Sequence, residues 1–417
     1  MATGNGNRVA VVGGARTPFV KAGTVFSQYT MQQLGAHATK GLVERSGIDP
    51  ATVDEFIFST VLLDPRTPNW AREIWFAAGL PKSVYAYAVS NNCISGLVAA
   101  ACGANSIALG RARTVIAGGT ESMSNPALLF SEHGSAIFLK LSRAKSVGQK
   151  LALLAQFRPR SFMPKPPAPT EPSTGLTMGQ HMEITAKQLG IARSGQDEVA
   201  FLSHRNAGAA TADGRLTADI VPLGGVTKDL LIRADTSLEK LSQLKPVFDR
   251  SSAGTLTAGN SSALTDGASA VLLMSEAQAQ KEKREPIAYI TDFEFGAIDA
   301  NDGLLMAPGV VVPRLLRRCG LTFNDFDLIE VHEAFGAQVV ANIKAWEEGW
   351  KESKVGSFPR ERMNVMGGSI AIGHPFAATG GRILSGLAAE MKRRGAKRGL
   401  ISICAAGAMA GAMILER

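Results

Sequence analysis

Apolar and polar positions follow two patterns along the chain, one typical of strands and the other of helices. In the first part, short apolar runs predict strands near 8–12, 54–60, 84–89 and 113–118. Between them, the spacing of apolar residues predicts helices near 30–46, 68–79 and 94–109. The second part repeats the theme, with strands near 287–294, 326–331, 362–366 and 398–404 and helices near 310–319, 334–347 and 378–394. This alternation predicts an α/β fold built from two similar halves.

Two long stretches, 83–110 and 399–415, contain no charged residue. The first is interrupted by asparagines and serines and the second by glycines, so neither is a continuous apolar run of the roughly 20 residues that span a bilayer. A helix without charges on any face must instead be covered by protein all round. We therefore expect the helix at 94–109 to lie between two sheets.

The middle of the chain differs from both halves. Residues 130–249 contain at most five helical pieces and little strand signal, which predicts an inserted loop domain. The predicted domains are then 1–129 with 250–283, the loop domain 130–249, and 284–417. Within the insertion, 135–157 interleaves apolar residues with Lys and Arg. This segment fits either contact with a membrane surface or a partner protein, or a solvated basic lid, and the sequence favours neither.

Charge and cysteine content narrow the class of protein. The net charge is +8, which by itself is compatible with a polyanionic partner. Between Glu132 and Glu171, however, there are seven bases and no acid: Lys140, Arg143, Lys145, Lys150, Arg158, Arg160 and Lys165. The excess is thus one local patch, and we predict no nucleic-acid binding. The four cysteines form no CxxC pair, so neither a zinc site nor a disulfide framework is indicated.

The ends and glycine motifs give further expectations. The start, MATGNGNRVAVV, enters a strand almost at once and leaves no room for a signal or transit peptide, so we predict a cytoplasmic, reducing location. GGARTPF at 13–19 lacks the GxGxxG spacing of a dinucleotide site, and no Walker-type loop is present. We expect no metal site and no permanently bound cofactor.

Cys93 is the most informative single residue. It lies in VSNNCISG, where an apolar strand gives way to the uncharged helix, and the free N–H groups of a helix start favour a thiolate and can hold an oxyanion. A lone cysteine in apolar surroundings is more often a buried structural thiol, as we expect for Cys102. For Cys93 a catalytic role is favoured over a structural one because three other residues suited to catalysis, His332, His374 and Cys404, also lie in glycine-rich or small-residue surroundings.

Five segments together resemble the thiolase family in order and spacing: NNCISG, 245–276, VHEAF, GHPFAATGGR and CAAGAMAGA. The resemblance runs from about Arg8 to the C-terminus. His332, where many members have Asn, and Cys-Ala-Ala-Gly from Cys404 are similar to the β-subunits of fatty-acid oxidation complexes. The resemblance implies a five-layer αβαβα fold of two similar halves plus an inserted loop domain.

Residue types and resemblance together imply a mechanism. Cys93 is expected to be the nucleophile that forms an acyl-enzyme, and His374 the base that takes its proton. Cys404 is expected to protonate the leaving carbanion and then to deprotonate the incoming CoA thiol. The resemblance implies one oxyanion pocket from His374 Nε2 and a water held by His332, and another from the backbone N–H groups of Cys93 and Ala406. Glu333 is expected either to orient that water or to be structural.

The resemblance also implies coenzyme A as co-substrate, lying over the loop domain. Ser262 and Gly259 would line the pantetheine channel, Met178 would approach the thioester end, and Arg233 would lie near the adenine nucleotide.

The leading hypothesis is a degradative 3-ketoacyl-CoA thiolase. A biosynthetic acetoacetyl-CoA thiolase and a catalytically silent CoA-binding scaffold subunit are the alternatives. A ketoacyl-ACP synthase is disfavoured because Cys404 stands where those enzymes have imidazole or Asn. A homodimer or homotetramer is expected, with a hydratase/dehydrogenase subunit as a further candidate partner.

Overall fold

The computed structural model describes residues 8–164 and 170–417. The strands are, in chain order, β1 (Val9–Arg16), β2 (Val20–Lys21), β3 (Glu55–Ser59), β4 (Tyr85–Val89), β5 (Thr114–Glu121), β6 (Thr265–Ser275), β7 (Ala288–Ala297), β8 (Leu328–Val331), β9 (Arg398–Ala405) and β10 (Met409–Glu416). The helices are α1 (Met31–Ser46), α2 (Trp70–Ala77), α3 (Ser95–Ala108), α4 (Glu132–Arg143), α5 (Val147–Leu154), α6 (Met178–Gln188), α7 (Arg193–Ala212), α8 (Leu238–Ser242), α9 (Glu276–Lys281), α10 (Pro308–Cys319), α11 (Gly336–Glu348), α12 (Ser369–Ile372) and α13 (Phe376–Arg394).

The strands form two groups that are joined at one edge. The first group has the order β4-β3-β5-β6-β1 and the second β7-β10-β9-β8, and β2 pairs with β6. β3 pairs parallel with β4 and β5, and β8 pairs parallel with β9. The remaining pairs are antiparallel, including a short pairing of Val9–Val11 with Ala288–Ile290 that links β1 to β7. Each half of the molecule thus has its own mixed sheet.

Alternation along the central strands explains the layers. In β6, Val271 and Leu273 face a core that includes α3 and α13, whereas Leu272 and Met274 face α1 and α2. In β9, Ile401 and Ile403 face α3 and α13, and Leu400 faces α10 and α11. Because successive side chains of a strand point to opposite faces, both sheets are covered on both sides. The predicted five-layer αβαβα fold is confirmed, with α3 and α13 as the middle layer.

The predicted strand at 362–366 is wrong. Only Met363 makes a bridge, to Ile329, and Asn364 adopts a left-handed backbone conformation with φ +45°. Its side-chain amide replaces the missing backbone partner: Val331 N–H donates to Asn364 Oδ1 at 2.8 Å, and Asn364 Nδ2 donates to Val331 O at 2.9 Å. A side chain that imitates a strand in this way satisfies β8 without extending the sheet.

Three strands were not predicted: the two-residue β2 and the longer β6 and β10. β6 is buried along its whole length, so its residues show no alternation of apolar and polar types. β10 is likewise almost wholly buried and follows a turn whose residues Gly407 and Ala408 have φ of +75° and +55°. Both strands lie in the interior of the sheets, where the pattern that identifies a half-exposed strand is lost.

Residues 130–249 contain α4 to α8, and no strand element occurs in the described part of this range. The helical character of the insertion is as predicted, while the domain boundaries 1–129 with 250–283, 130–249 and 284–417 stay predictions. Lys165 and the rest of 165–169 lie outside the described residues, as does the expected leaderless start at 1–7. Across the described ranges, no helix combines the length and apolar character that a membrane crossing requires.

Candidate active site

The turn that carries Cys93 is held by its own sequence. It lies between β4 and α3, and the polar residues that end the strand form the turn. Ser95 Oγ accepts from Asn91 N–H at 2.7 Å and donates to Asn92 O at 2.6 Å, while Asn92 adopts φ +48°. Asn92 Nδ2 also donates to Ala406 O at 2.9 Å, which ties this turn to the one between β9 and β10. The thiol is thereby fixed immediately before the first turn of α3.

Cys93 is a thiol, not a thiolate, in the resting protein. Burial raises its pKa to about 12 and the nearby Glu121 carboxylate acts in the same direction, although the N–H groups of Ala406 and of Cys93 itself lower it. The N–H groups do favour the thiolate, as the helix start led us to expect, but removal of the sulfur from water outweighs them. A base is therefore needed before this sulfur can act as a nucleophile.

His374 lies between α12 and α13. Its backbone N–H donates to Thr265 Oγ1 at 3.0 Å, and its ring Nδ1 is 2.7 Å from Thr379 Oγ1. The ring is 4% exposed, and burial, with a smaller effect of the Arg382 charge, lowers its pKa to about 3. His374 is thus a neutral imidazole at physiological pH.

Two glycines allow the helix starts to touch. A Cβ at Gly96 would lie 2.4 Å from Ala377 O, and one at Gly380 would lie 2.4 Å from Leu97 N. Because real Cβ atoms do not approach backbone this closely, only glycine permits the crossing of α3 and α13. The contact lies three residues after Cys93 and three after His374. The helix crossing therefore brings the thiol and the imidazole into one site.

His332 and Cys404 complete the cluster. His332 follows β8, and its ring centroid lies 4.1 Å from that of His374. Burial, followed by the charges of His374 and Arg382, lowers the pKa of His332 well below its usual value. Cys404, in β9, is 1% exposed. Burial, together with the nearby Cys93, raises the pKa of its thiol well above its usual value.

A buried carboxylate that we did not predict joins the halves at this site. Glu121, the last residue of β5, accepts hydrogen bonds from Thr60 Oγ1 and Leu62 N–H at 2.9 Å each and from Ala377 N–H at 3.3 Å. Burial raises its pKa despite these donors. The signal was available in the sequence, since TVIAGGTE is a wholly apolar or small-residue run that ends in a single acid.

Glu333 has a structural position. Its carboxylate accepts from Ser203 Oγ at 2.7 Å, Asn364 Nδ2 at 2.6 Å and Ile370 N–H at 3.2 Å. A Cβ at Gly368 would lie 2.2 Å from its carboxyl carbon. These partners occupy the carboxylate, so of the two expectations for Glu333 the structural one fits this geometry.

The predicted CoA contacts are distributed unevenly around the cluster. Met178, at the start of α6, packs in the same apolar cluster as Cys404. Ser262 N–H donates to Ala334 O at 2.9 Å, close in sequence to His332, and Gly259 is buried against Leu241 and Leu244. Arg233 is exposed, and its backbone N–H donates to His204 Nδ1 at 3.1 Å. Their contact with CoA stays a prediction.

Three further side chains at the site were missed: Thr379, Ser369 and Arg382. Thr379 and Ser369 each meet a histidine ring nitrogen, and Arg382 meets Ser369 at 3.1 Å. Hydroxyl residues within five positions of His374 were a usable signal for Thr379. Ser369 contacts a residue 37 positions away, which spacing alone does not indicate.

Comparisons with known proteins agree over nearly the whole chain. Residues 9–277 match the family model described as thiolase, N-terminal domain, and 284–417 match thiolase, C-terminal domain. The chain is 40% identical to a protein named 3-ketoacyl-CoA thiolase from Shewanella denitrificans, covering 99% of this chain and 97% of that protein. It is also 40% identical to one of the same name from Vibrio cholerae, covering 99% and 98%.

A solved structure gives the same result for the fold. The crystal structure of the Bacillus anthracis acetyl-CoA acetyltransferase superimposes with a TM-score of 0.86 at 30% identity, covering 98% of each chain.

Proposed function

This chain belongs to the thiolase family, and from that membership we propose that it cleaves 3-ketoacyl-CoA with CoA to give acetyl-CoA and a shortened acyl-CoA, the reaction of fatty-acid β-oxidation. The observation that carries the proposal is the pairing of a partly buried thiol, Cys93, and a buried thiol, Cys404, with a neutral imidazole near the crossing of α3 and α13. Such a site can form a thioester on one sulfur and move a proton with the other.

In the first half of the reaction, His374 Nε2 takes the proton of Cys93 and the sulfur attacks the ketone carbon C3. The bond between C2 and C3 then breaks, and its electron pair goes to C2 of the departing acetyl-CoA. Cys404 donates its proton to that carbon. A thiol whose pKa is raised by burial is still protonated at neutral pH, so it can serve as this acid. The products of this half are acetyl-CoA and an acyl group on Cys93.

In the second half, the Cys404 thiolate takes the proton of the incoming CoA thiol. The CoA sulfur attacks the acyl carbon, the bond to Cys93 Sγ breaks, and His374 returns its proton to that sulfur. Each residue ends in its starting state, and the same cycle run backwards is a Claisen condensation. The raised pKa of Cys404 suits it to both roles, since the thiolate of a weak acid is a strong base.

Negative charge on oxygen develops in both halves and needs fixed donors. The N–H groups of Cys93 and Ala406 both act on the Cys93 sulfur, so they are also close to the oxygen of a group attached to it. Ala406, where the family more often has Gly, keeps the N–H. His374 gains a donor at Nε2 when it takes the Cys93 proton, and His332 lies beside it. These groups would stabilise the negative oxygens of the tetrahedral intermediates on Cys93 and of the acetyl-CoA enolate.

We place CoA over the helical insertion, with its pantetheine passing Ser262 and Gly259 and its thioester near Met178. The apolar cluster shared by Met178 and Cys404 supports this direction of approach. Arg233, exposed beyond α7, would contact the nucleotide end. Such contacts would extend the site from the two thiols toward the surface, as a long co-substrate requires.

The proposal is tested by following CoA-dependent loss of acetoacetyl-CoA and of a long-chain 3-ketoacyl-CoA by the purified protein. We expect turnover of both, with Cys93→Ser lowering kcat by more than about 10³-fold and Cys102→Ser serving as the matched control. Cys102 lies in a half-buried position on α3, the helix that follows Cys93. Full activity of the Cys93 variant, or loss of activity only in the Cys102 variant, would overturn the assignment.

The same assay separates the two enzymatic alternatives. Proteins 40% identical to the chain are named 3-ketoacyl-CoA thiolase, whereas the structural relative named acetyl-CoA acetyltransferase is 30% identical. The nearer likeness supports the degradative direction and substrates longer than acetoacetyl-CoA. Turnover confined to acetoacetyl-CoA would instead favour the biosynthetic enzyme, and binding of CoA without turnover would favour the scaffold subunit.

The insertion supports a proposal about location. α4 and α5 pack together and leave apolar side chains exposed, among them Leu139 at 59%, Val147 at 74% and Leu151 at 61%. Exposed bases including Lys140 and Lys150 lie among them. Apolar residues surrounded by Lys and Arg are typical of a surface that rests on an anionic bilayer. We propose that 135–157 brings a cytoplasmic homo-oligomer to the membrane surface, with a hydratase/dehydrogenase subunit as the alternative occupant.

Co-sedimentation with vesicles of phosphatidylcholine, with and without phosphatidylglycerol, tests this location. We expect binding only with the anionic lipid, and weaker binding for Lys140→Gln/Lys150→Gln than for the control Lys281→Gln/Lys283→Gln on an exposed stretch elsewhere. Equal binding of both variants would contradict the proposal. Native mass measurement tests separately for a dimer or tetramer.

A further inference from the structure

The rings of His332 and His374 lie 4.1 Å apart at an interplanar angle of 48°. In each ring one nitrogen meets a hydroxyl and the other has no hydrogen-bond partner among the described residues. In both residues the partnered atom is Nδ1, and Nε2 is buried and unpaired among the described residues. A neutral imidazole has one proton, so one nitrogen donates and the other accepts. The hydroxyl at Nδ1 therefore decides whether Nε2 is a donor or an acceptor toward a bound substrate.

At His374 the hydroxyl is committed to accept. Thr379 Oγ1 is 3.2 Å from Pro375 O, a carbonyl that can only accept, and so the threonine proton goes there. Thr379 Oγ1 then accepts from Nδ1–H of His374 at 2.7 Å. The lone pair is left on Nε2, which is the state that a base for Cys93 requires.

At His332 the hydroxyl is committed to donate. Arg382 Nη2 donates to Ser369 Oγ at 3.1 Å, and a guanidinium has no acceptor. Within the described ranges, the Ser369 hydroxyl has no acceptor other than His332 Nδ1 at 2.8 Å. Leaving this buried hydroxyl proton unpaired would be unfavourable, and so it points to Nδ1. The histidine proton is then on Nε2, the reverse of His374.

Arg382 is held in place for this task by burial and charge. It is 4% exposed, its Nη1 lies 3.7 Å from Glu330 Oε2, and its Nε has no partner among the described residues. The side chain borders a cavity of about 200 Å³ that is also lined by Arg16 and Asp219. Burying a guanidinium costs free energy of folding. Because the buried Arg382 guanidinium donates to the serine that contacts His332, we infer a role for it beyond packing.

We propose that Ser369, oriented by Arg382, fixes His332 in the Nε2–H form, so that the two adjacent histidines present a donor and an acceptor to the same site. Ser369 and Arg382 are then positioning residues that act through His332. The consequence for catalysis rests on the proposed function: the Nε2–H group would donate to the water or thioester oxygen on which charge develops, while His374 Nε2 takes the Cys93 proton.

Imidazole ¹⁵N NMR tests the two tautomers directly. The chain has six histidines, and the resonances of His332 and His374 are assigned from His332→Asn and His374→Asn. We expect a pyridine-like Nδ1 and a pyrrole-like Nε2 for His332, and the reverse for His374. The same tautomer in both rings, or a pyrrole-like Nδ1 in His332, would overturn the proposal whether or not the protein cleaves 3-ketoacyl-CoA.

Variants of Ser369 test the link to catalysis. Ser369→Ala should shift the His332 resonances toward a mixture and lower kcat about tenfold with little change in KM, whereas Ser369→Thr, which keeps a hydroxyl, should retain both. In a His332→Asn background, Ser369→Ala should have no further effect, because an amide donates without choosing a tautomer. Unchanged His332 resonances in a folded Ser369→Ala protein would refute the positioning role. Shifted resonances with unchanged kcat would refute the donor role alone.

Discussion

The starts of α3 and α13 occupy equivalent places in the two halves but are stabilised in different ways. The Cys93 turn is closed chiefly by the hydroxyl of Ser95, through hydrogen bonds between residues three and four positions apart. The His374 turn is held by the other half of the molecule, through Thr265 Oγ1 and the Glu121 carboxylate at Ala377 N–H. The nucleophile is thus placed mainly by contacts local in sequence, and the backbone of the base mainly by contacts with the other half. Fold and chemistry are linked most tightly on the His374 side.

Removal of the base should give the largest effect. His374→Asn keeps a polar side chain of smaller size but cannot take the proton of a thiol whose pKa is raised to about 12. We expect kcat for thiolysis to fall by about 10³-fold or more. His37→Gln is the matched control, since His37 lies on α1, outside the middle layer, where its Nε2 is 2.9 Å from Pro222 O. A His374 variant within tenfold of wild type would remove the imidazole from the mechanism.

The helix crossing can be disrupted by one methyl group. Gly380→Ala would place a Cβ 2.4 Å from Leu97 N, and we expect a loss of about 3 kcal/mol in the free energy of unfolding. Gly386→Ala, on the same helix, meets only the end of Met366 at 3.6 Å and should be neutral or slightly stabilising. Urea unfolding of both variants checks this. Equal stability of the two variants would show that the crossing tolerates a side chain.

Acid should destabilise the site through the buried histidines. The pKa of His374 is about 3 in the folded protein and about 6.5 when unfolded. The unfolded state therefore binds a proton first, and stability falls as the pH drops from about 6.5 toward 3. By pH 5 this amounts to about 2 kcal/mol.

Glu330, whose pKa is raised to about 8, stabilises the folded protein as the pH falls and so opposes the effect of His374. The contribution of His374 is therefore measured as the difference between wild type and His374→Asn. Wild type should lose about 2 kcal/mol more than His374→Asn between pH 8 and pH 5 in urea unfolding. Parallel losses would mean that His374 titrates normally in the folded protein.

The smallest effect is expected at the hydroxyl that supports His374. Thr379→Val keeps the shape of the side chain but removes the acceptor for Nδ1–H, and we expect kcat to fall about tenfold with little change in KM. Thr379→Ser retains the hydroxyl and should recover most of the rate. If the valine and serine variants have the same kcat, the hydroxyl does not orient the ring.

The same contrast explains what the sequence could predict. Between residues 8 and 121 the strands and helices, apart from the two-residue β2, were predicted to within a few residues, because apolar runs there are separated by turn residues. β6 and β10 were missed because each begins with small or polar residues, TDGAS and MAGA, that give no strand pattern. The strand expected at 362–366 was wrong because Asn364 supplies by its side chain the hydrogen bonds that a strand would have made.

For the site, the motifs pointed to Cys93, His332, His374 and Cys404, but not to the groups that set their protonation. Ser369 and Arg382 meet His332 only through the fold, and Glu121 reaches α13 across 256 positions. The sequence shows the helix start, whose N–H groups favour the Cys93 thiolate, but not the desolvation that raises the pKa of this thiol overall. Desolvation is a property of the packed structure and has no local signature.

The central claim is that Cys93 carries the acyl group, and acid quenching followed by peptide mass mapping tests it most directly. After brief exposure to acetoacetyl-CoA, we expect one acetyl group per chain on the peptide that contains Cys93, removed on addition of CoA, and none on Cys102, Cys319 or Cys404. An acetyl group on Cys404, or continued turnover without any acetylation of Cys93, would contradict the account.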